Sequence, residues 1–150
     1  MNPASGLPPS GEGWRVETGN TFHHAIADLW VRQTDDDVSI GIFCDERHEN
    51  GNAAMHGGVI CTLADIGLGK LVELRRNPDQ RPDQPRIISA TIQLDVSFCG
   101  QIVMGDFVHS KATISSMTRS MTFAQGELFV GERVVAIMQG VFKVVANRRA

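Results

Sequence analysis

Asp65 is the only charged residue in an otherwise apolar or small segment, residues 59–69. An ionised carboxylate in a dry site is costly unless it is paired or hydrogen-bonded, so its presence needs a reason. Either Asp65 is structural, capping a nearby backbone segment or pairing with an arginine, or it is a general base or nucleophile in a sheltered cleft. The residue alone leaves both interpretations open.

The sequence His56-Gly57-Gly58 comes just before this segment, where a helix is predicted to begin. The first N–H groups of a helix have no intrahelical acceptor and carry the positive end of its dipole, and glycine leaves them accessible. Such a helix start can receive an oxyanion. Asn50, six residues before His56, can donate and accept hydrogen bonds, as holding a carbonyl or a water requires.

The spacing of Gly57 and Asp65 indicates that a site using both is shared between two chains. Asp65 lies eight residues after Gly57, which is roughly 12 Å along a helix and too far for both to contact one carbonyl. Two helices antiparallel across a two-fold axis would bring the start of one beside the middle of the other. A dimer would then have two equivalent sites.

The apolar periodicity predicts one long helix, from Gly58 to about Arg76, whose first three turns are apolar on all sides. Alternation of apolar and polar residues predicts strands, with a hairpin joined at Gly131. These strands cover residues 27–33, 38–44, 88–98, 104–116, 119–129 and 133–145. The alternation is clearest in residues 88–98.

A single helix that is apolar all round must be wrapped by the sheet. We therefore predict an α+β hotdog fold, in which a curved antiparallel sheet of about six strands surrounds one long central helix. A second copy is expected to cover the sheet edges and the remaining helix face, giving at least a homodimer. The predicted organisation is a flexible leader (1–19), one domain (20–146) and a solvated tail (147–150).

Composition narrows the class of partner. The net charge is −3 with a pI of about 5.9, and no basic stripe with interleaved aromatics is present, which argues against nucleic acid. No run reaches the roughly 18 apolar residues of a membrane span. The three cysteines lie in apolar stretches and suit reduced thiols. With no signal-peptide pattern at the N-terminus, these features predict a cytoplasmic protein.

Three motif-like patterns are rejected. The acidic run from Asp35 has an isoleucine, Ile40, where a calcium loop needs glycine. His48 and His56 lack a third ligand at a suitable spacing, so no metal is predicted. The stretch "GLGKL" lacks the flanking glycine and the hydroxyl residue of a phosphate-binding loop.

The stretch "HENGNAAMHGGVICTLADIGLG" resembles the signature of the PaaI-like acyl-CoA thioesterases of the hotdog superfamily: H-x-N, a short gap, HGG, then Leu-x-Asp on the central helix. "ISATIQLDVSFCGQIVMGD" and "GELFVGERVVAIMQGVFKVV" resemble that family's third strand and closing hairpin, so the likeness covers roughly residues 20–146. It implies hydrolysis of an acyl-CoA thioester by a homodimer or dimer of dimers, without a separate cofactor.

The resemblance implies a role for each matching catalytic position. Asp65 matches the carboxylate that attacks the thioester or activates the water, and Gly57 matches the residue whose N–H polarises the carbonyl. Asn50 matches the side chain that helps to hold the water or the leaving group. Thr91 falls where related enzymes often have Ser or Thr near the carboxylate. His56 matches a residue that mainly shapes the loop.

The substrate-binding residues are predicted on the same basis. The acyl group is expected in an apolar pocket along the helix, beside Gly58, and the coenzyme A phosphates need cations at the cleft mouth. From the arginines available, we single out Arg119 at the start of a strand. The predicted pocket residues are Met55, Leu63 and Ile66.

One departure and two rival functions bear on this prediction. The family often has glycine in the gap before HGG, where this chain has Ala53 and Ala54, so the loop that carries Asn50 is expected to differ in shape. A hotdog hydratase or dehydratase generally needs a histidine paired with the carboxylate, and the helix has no Asp-x4-His pattern. A non-catalytic acyl-CoA-binding module would keep the pocket but would not need Asp65.

Overall fold

A computed structural model describes residue 11, residues 13–79 and residues 82–145. Seven antiparallel strands form one sheet in the order β1-β2-β3-β5-β6-β7-β4, curved around the long helix α2. The strands are β1 Arg15–Glu17, β2 Leu29–Gln33, β3 Val38–Phe43, β4 Ile88–Phe98, β5 Phe107–Met117, β6 Met121–Val130 and β7 Arg133–Val145. The helices are α1 Phe22–Ile26 and α2 Gly57–Arg76, with a short 3-10 turn at Glu46–His48. The α+β hotdog prediction is confirmed.

Helix α2 has 20 residues and packs on β3 to β7, so it spans most of the sheet. Its core-facing side is fully buried, as at Leu63 and Leu68. Although its first three turns are apolar on all sides, one face of the helix is not buried. Gly58 is exposed, and Asp65 and Gly69, further along the same face, are only half-buried. The glycines and small side chains there leave room between the helix and β4.

Strand β4 is an edge of the sheet and packs against α2. It pairs only with β7 within the described chain, and its register shifts between Thr91 and Gln93. Directly paired residues point to the same face. Thr91 opposes buried Phe142, so Thr91 faces the helix. After the bulge, Leu94 and Val96 face inward instead. The single alternation predicted for residues 88–98 is therefore wrong, because a bulge residue reverses the faces.

The N-terminal part of the domain begins before the predicted boundary at residue 20. Trp14 is buried, and β1 pairs with β2. The ammonium of Lys70 donates to Glu17 at 2.7 Å, which ties β1 to the central helix. A three-residue strand is too short for its alternation to be recognised. The rest of the predicted leader and the tail at 147–150 fall outside the described residues, apart from Gly11, Gly13 and residues 18–19.

The sheet has a short seam between β3 and β5. Only three residue pairs join these strands, Gly41 to Phe43 with their partners, whereas the β5–β6, β6–β7 and β7–β4 ladders run along most of each strand. Beyond the seam, the Ile40 N–H donates to the Ser110 hydroxyl at 3.0 Å. The Ser110 side chain thus takes the place of a backbone carbonyl as the acceptor at the point where β3 and β5 separate.

Candidate active site

Asp65 and Thr91 form a hydrogen-bonded pair between α2 and β4, which we call the carboxylate half of the site. The Thr91 hydroxyl donates to Oδ1 of Asp65 at 2.7 Å. Both residues line a cavity of about 380 Å³. Asp65 is half-buried rather than sealed in the core. Within the described part of the chain, its carboxylate therefore has one neutral hydrogen-bond donor and open space beside it, and no ion-pair partner.

The same cavity contains polar side chains that the sequence did not single out. His23 comes from α1, Lys70 and Glu73 from α2, and Ser89 from β4. Burial, reinforced by the nearby positive charge of Lys70, holds the pKa of His23 below its ordinary value. His23 is therefore mainly neutral at pH 7. No local sequence signal could link α1 to Asp65, because the two segments meet only in the folded chain.

The start of α2, residues His56, Gly57 and Gly58, forms the amide half of the site. His56 is the N-cap residue, and its Nδ1 accepts the Gly58 N–H at 2.8 Å. Among the described residues, nothing accepts the Gly57 N–H. The two adjacent amides thus differ in role: the Gly58 amide closes the cap, and the Gly57 amide remains able to donate to an added group.

Phe98, at the end of β4, packs against the amide half. A Cβ on Gly57 would lie 3.3 Å from Cζ of the Phe98 ring, which is tight but not a severe clash. Phe98 itself is 57% exposed. Strand β4 therefore passes both halves of the site, with Thr91 beside Asp65 and Phe98 beside Gly57.

The loop before α2 is held by His48, which is 1% exposed. Its Nδ1 accepts the Asp45 N–H at 2.9 Å, and its Nε2 donates to the Ile26 carbonyl at 2.7 Å. Both ring nitrogens are occupied by backbone groups, so this histidine fixes the loop. The His56 N–H in turn donates to the His48 carbonyl at 2.7 Å.

Asn50 closes a tight turn in this loop. Its side-chain oxygen accepts the Asn52 N–H at 2.7 Å, which leaves the side-chain NH₂ as the group available to a ligand. Ala53 has a positive φ of 59°, a left-handed conformation that favours glycine. The alanine that departs from the family pattern therefore adopts a glycine-like backbone.

The remaining predicted substrate-binding residues divide between the cavity, the core and the surface. Ile66 lines the cavity. Met55 and Leu63 are 4% and 0% exposed and belong to the hydrophobic core, so packing rather than the cavity accounts for them. Arg119 is exposed in the connection between β5 and β6.

Two other kinds of feature are absent from the described residues. No group of three or more His, Cys, Asp or Glu side chains in that part of the chain could hold a metal ion. None of the helices found there is long and apolar enough to cross a bilayer.

Comparison with known proteins supports the family assignment. The profile of the thioesterase superfamily matches residues 52–137. A Pseudomonas aeruginosa protein named "Putative esterase PA0474" is 36% identical over 103 residues, which is 69% of this chain and 72% of that protein.

Solved structures show the same fold. The BH2602 protein of Bacillus halodurans, crystallised with CoA, aligns with a TM-score of 0.71 at 20% identity, over 88% of this chain and 83% of that one. The PaaI protein of E. coli aligns with a TM-score of 0.72 at 14% identity, over 86% and 87% of the two chains. The profile match and the P. aeruginosa relative together show that this chain belongs to the thioesterase superfamily.

Proposed function

We propose that this protein hydrolyses an acyl-CoA thioester to the free acid and coenzyme A. The observation that carries the proposal is the Asp65–Thr91 pair beside a cavity, with the Gly57 N–H unoccupied at the start of the same helix. Membership of the thioesterase superfamily supports thioester hydrolysis in general. A fold neighbour was crystallised with CoA, which supports a CoA-type thiol portion.

In the proposed mechanism, Asp65 removes a proton from a water while Thr91 holds the carboxylate in position. The water oxygen attacks the thioester carbon, and the Gly57 N–H stabilises the negative charge that develops on the carbonyl oxygen. Collapse of this intermediate breaks the C–S bond, and the proton taken up by Asp65 passes to the departing thiolate. The Asn50 NH₂ helps to hold the water or the leaving group. Direct attack by Asp65, through a mixed anhydride, is the alternative route.

The site is proposed to form between two protomers. Gly57 and Asp65 of one chain are roughly 12 Å apart along α2. The free edge of β4 offers an 11-residue strand for antiparallel pairing with a second copy. Such pairing runs the Phe98 end of one β4 toward the Thr91 part of the other. Gly57 of one protomer then approaches Asp65 of its partner.

The remaining features of the proposal are a cytoplasmic homodimer, or a dimer of dimers, that needs no separate cofactor. Arg119 is proposed to meet a CoA phosphate, because it is exposed and its guanidinium has no partner among the described residues. A site formed within one chain would not require a dimer. The sharing of the site between two protomers is therefore the feature of the proposal that we test.

The test uses two inactive variants, Asp65→Asn and Gly57→Pro, carrying different affinity tags. Proline has no N–H but is well tolerated at the first helical position, and His56 has the extended backbone (ψ 136°) that precedes proline readily. Mixed dimers isolated through both tags should contain one intact site of two and give about half the wild-type thiol release.

Two results would contradict the proposal. Inactive mixed dimers would place Asp65 and Gly57 in a site formed within one chain. Absence of thiol release by the wild type from any of a panel of acyl-CoAs, with binding retained, would favour the non-catalytic acyl-CoA-binding function.

A further inference from the structure

Two glycines in the middle of α2 have different reasons to be glycine. A Cβ on Gly67 would lie 2.8 Å from Cβ of Ser110, so the packing against β5 excludes a side chain there. A Cβ on Gly69 would meet nothing nearer than Cε1 of Phe142, at 3.8 Å, an ordinary contact distance. The protein's own packing therefore requires Gly67 but does not require Gly69.

Gly69 nevertheless costs stability. Glycine inside a helix is about 1 kcal/mol less favourable than alanine. It lines the cavity that contains Asp65 and lies one helical turn beyond it. The missing side chain keeps open the space that extends from Asp65 toward the C-terminal end of α2.

Ser89 borders the same space on the opposite wall. It precedes Thr91 by two residues on the same face of β4, so its side chain lies roughly 6.6 Å further along the strand. Its hydroxyl oxygen is buried, and no protein group among the described residues hydrogen-bonds to it. A buried hydroxyl without a partner is unfavourable, so a ligand group that bonds to it gains affinity.

The charged side chains at this end of the cavity are already paired. Lys70 donates to Glu17, and Arg86 forms an ion pair with Glu73. His23, which also lines the cavity, is mainly neutral at pH 7 because burial lowers its pKa. The far end of the space thus offers hydrogen bonding without an unpaired charge.

We propose that Gly69 and Ser89 determine the acyl specificity of this site, admitting a medium-length acyl group that carries a neutral hydrogen-bonding group, such as a hydroxyl, at its far end. Gly69 sets the depth of the acyl channel, and Ser89 binds the distal polar group. This inference rests on the proposed thioesterase function, because it places the thioester beside Asp65.

The experiment compares hexanoyl-CoA with 6-hydroxyhexanoyl-CoA, because a six-carbon chain is about as long as the roughly 6.6 Å spacing between Thr91 and Ser89. The wild type should show a kcat/KM about tenfold to a hundredfold higher for the hydroxylated substrate. Ser89→Ala should bring this ratio close to one. Ser116→Ala, which removes an exposed hydroxyl on β5 outside the cavity, should leave the ratio unchanged.

The proposal that Gly69 sets the depth of the acyl channel is tested separately. Gly69→Ala should raise the melting temperature and lower kcat/KM for hexanoyl-CoA relative to acetyl-CoA severalfold. Gly67→Ala should instead lower the melting temperature, since its Cβ collides with Ser110. An unchanged chain-length profile in Gly69→Ala would remove Gly69 from the specificity assignment.

Binding separates this inference from the proposed function. The two acyl chains can be presented as ketone analogues of the acyl-CoAs, which cannot be hydrolysed, and their affinities measured by calorimetry. Selective binding of the hydroxylated analogue without turnover of either thioester would retain the specificity assignment and overturn the thioesterase proposal. Turnover of both thioesters with equal binding of the analogues would overturn the specificity assignment alone.

Discussion

The two halves of the candidate site are built in different ways. The carboxylate half consists of two side chains, Asp65 and Thr91, that meet through a single 2.7 Å hydrogen bond at an open cavity. The amide half consists of backbone, and the side chains around it fix that backbone: His56 caps the helix, and His48 anchors the preceding loop. Replacing a side chain can therefore remove the functional group of the carboxylate half directly. The functional group of the amide half is a backbone N–H, which only a change to the backbone can remove.

The largest loss of activity is expected from substitution in the carboxylate half. Asp65→Asn keeps the size and the hydrogen bond to Thr91 but cannot accept a proton. Loss of a general base costs about a hundredfold to ten-thousandfold in kcat. Thiol release from an acyl-CoA measures this, and the melting temperature should stay close to that of the wild type. Wild-type turnover in this variant would remove Asp65 from the mechanism.

The amide half should respond almost as strongly when its donor is deleted. Gly57→Pro removes the N–H, and we expect kcat to fall about a hundredfold to a thousandfold. Gly57→Ala is the matched control, because it adds the same Cβ near Phe98 but keeps the N–H. It should lose far less activity. Equal losses in the two variants would attribute the effect to contact with Phe98 rather than to the amide.

Thr91→Ala is expected to have an intermediate effect. It leaves Asp65 charged but frees it to rotate, and we expect kcat to fall about tenfold, as for loss of one hydrogen bond to a charged group. Thr91→Ser keeps the hydroxyl and should recover most of the activity. If serine is as poor as alanine, the threonine methyl group rather than the hydrogen bond positions the carboxylate.

The smallest effect concerns the loop of the amide half. Ala53→Gly relieves a positive φ of 59° and should raise the free energy of unfolding by up to about 1 kcal/mol. Ala54→Gly has no such strain to relieve and should lower it. Urea unfolding curves give both values. A destabilised Ala53→Gly would mean that the left-handed turn carries little strain.

Sequence patterns could identify the features that depend on local rules. The length of α2, the helix start at His56 and the position of Asp65 on that helix follow from periodicity and capping. The bulge in β4 could not be predicted, because the pattern of residues 88–98 alternates without interruption and only pairing with β7 reveals the shift. Thr91 was assigned from the family resemblance and rests on this register.

Other features depend on contacts between distant segments. His23 and Ser89 enter the cavity from α1 and β4, and neither stands out in its own local sequence. Trp14 and β1 were assigned to a flexible leader because proline and glycine dominate the preceding residues. Their order comes from pairing with β2 and from the Glu17–Lys70 contact.

The short seam between β3 and β5 separates the sheet into two unequal units. One unit comprises β1, β2 and β3, and the other comprises the four long strands. Three residue pairs, the packing of β3 on α2 and the Glu17–Lys70 contact hold the smaller unit, and it can open while the longer ladders stay intact. Its amide hydrogens should therefore exchange with solvent deuterium as a group, ahead of those in β6 and β7.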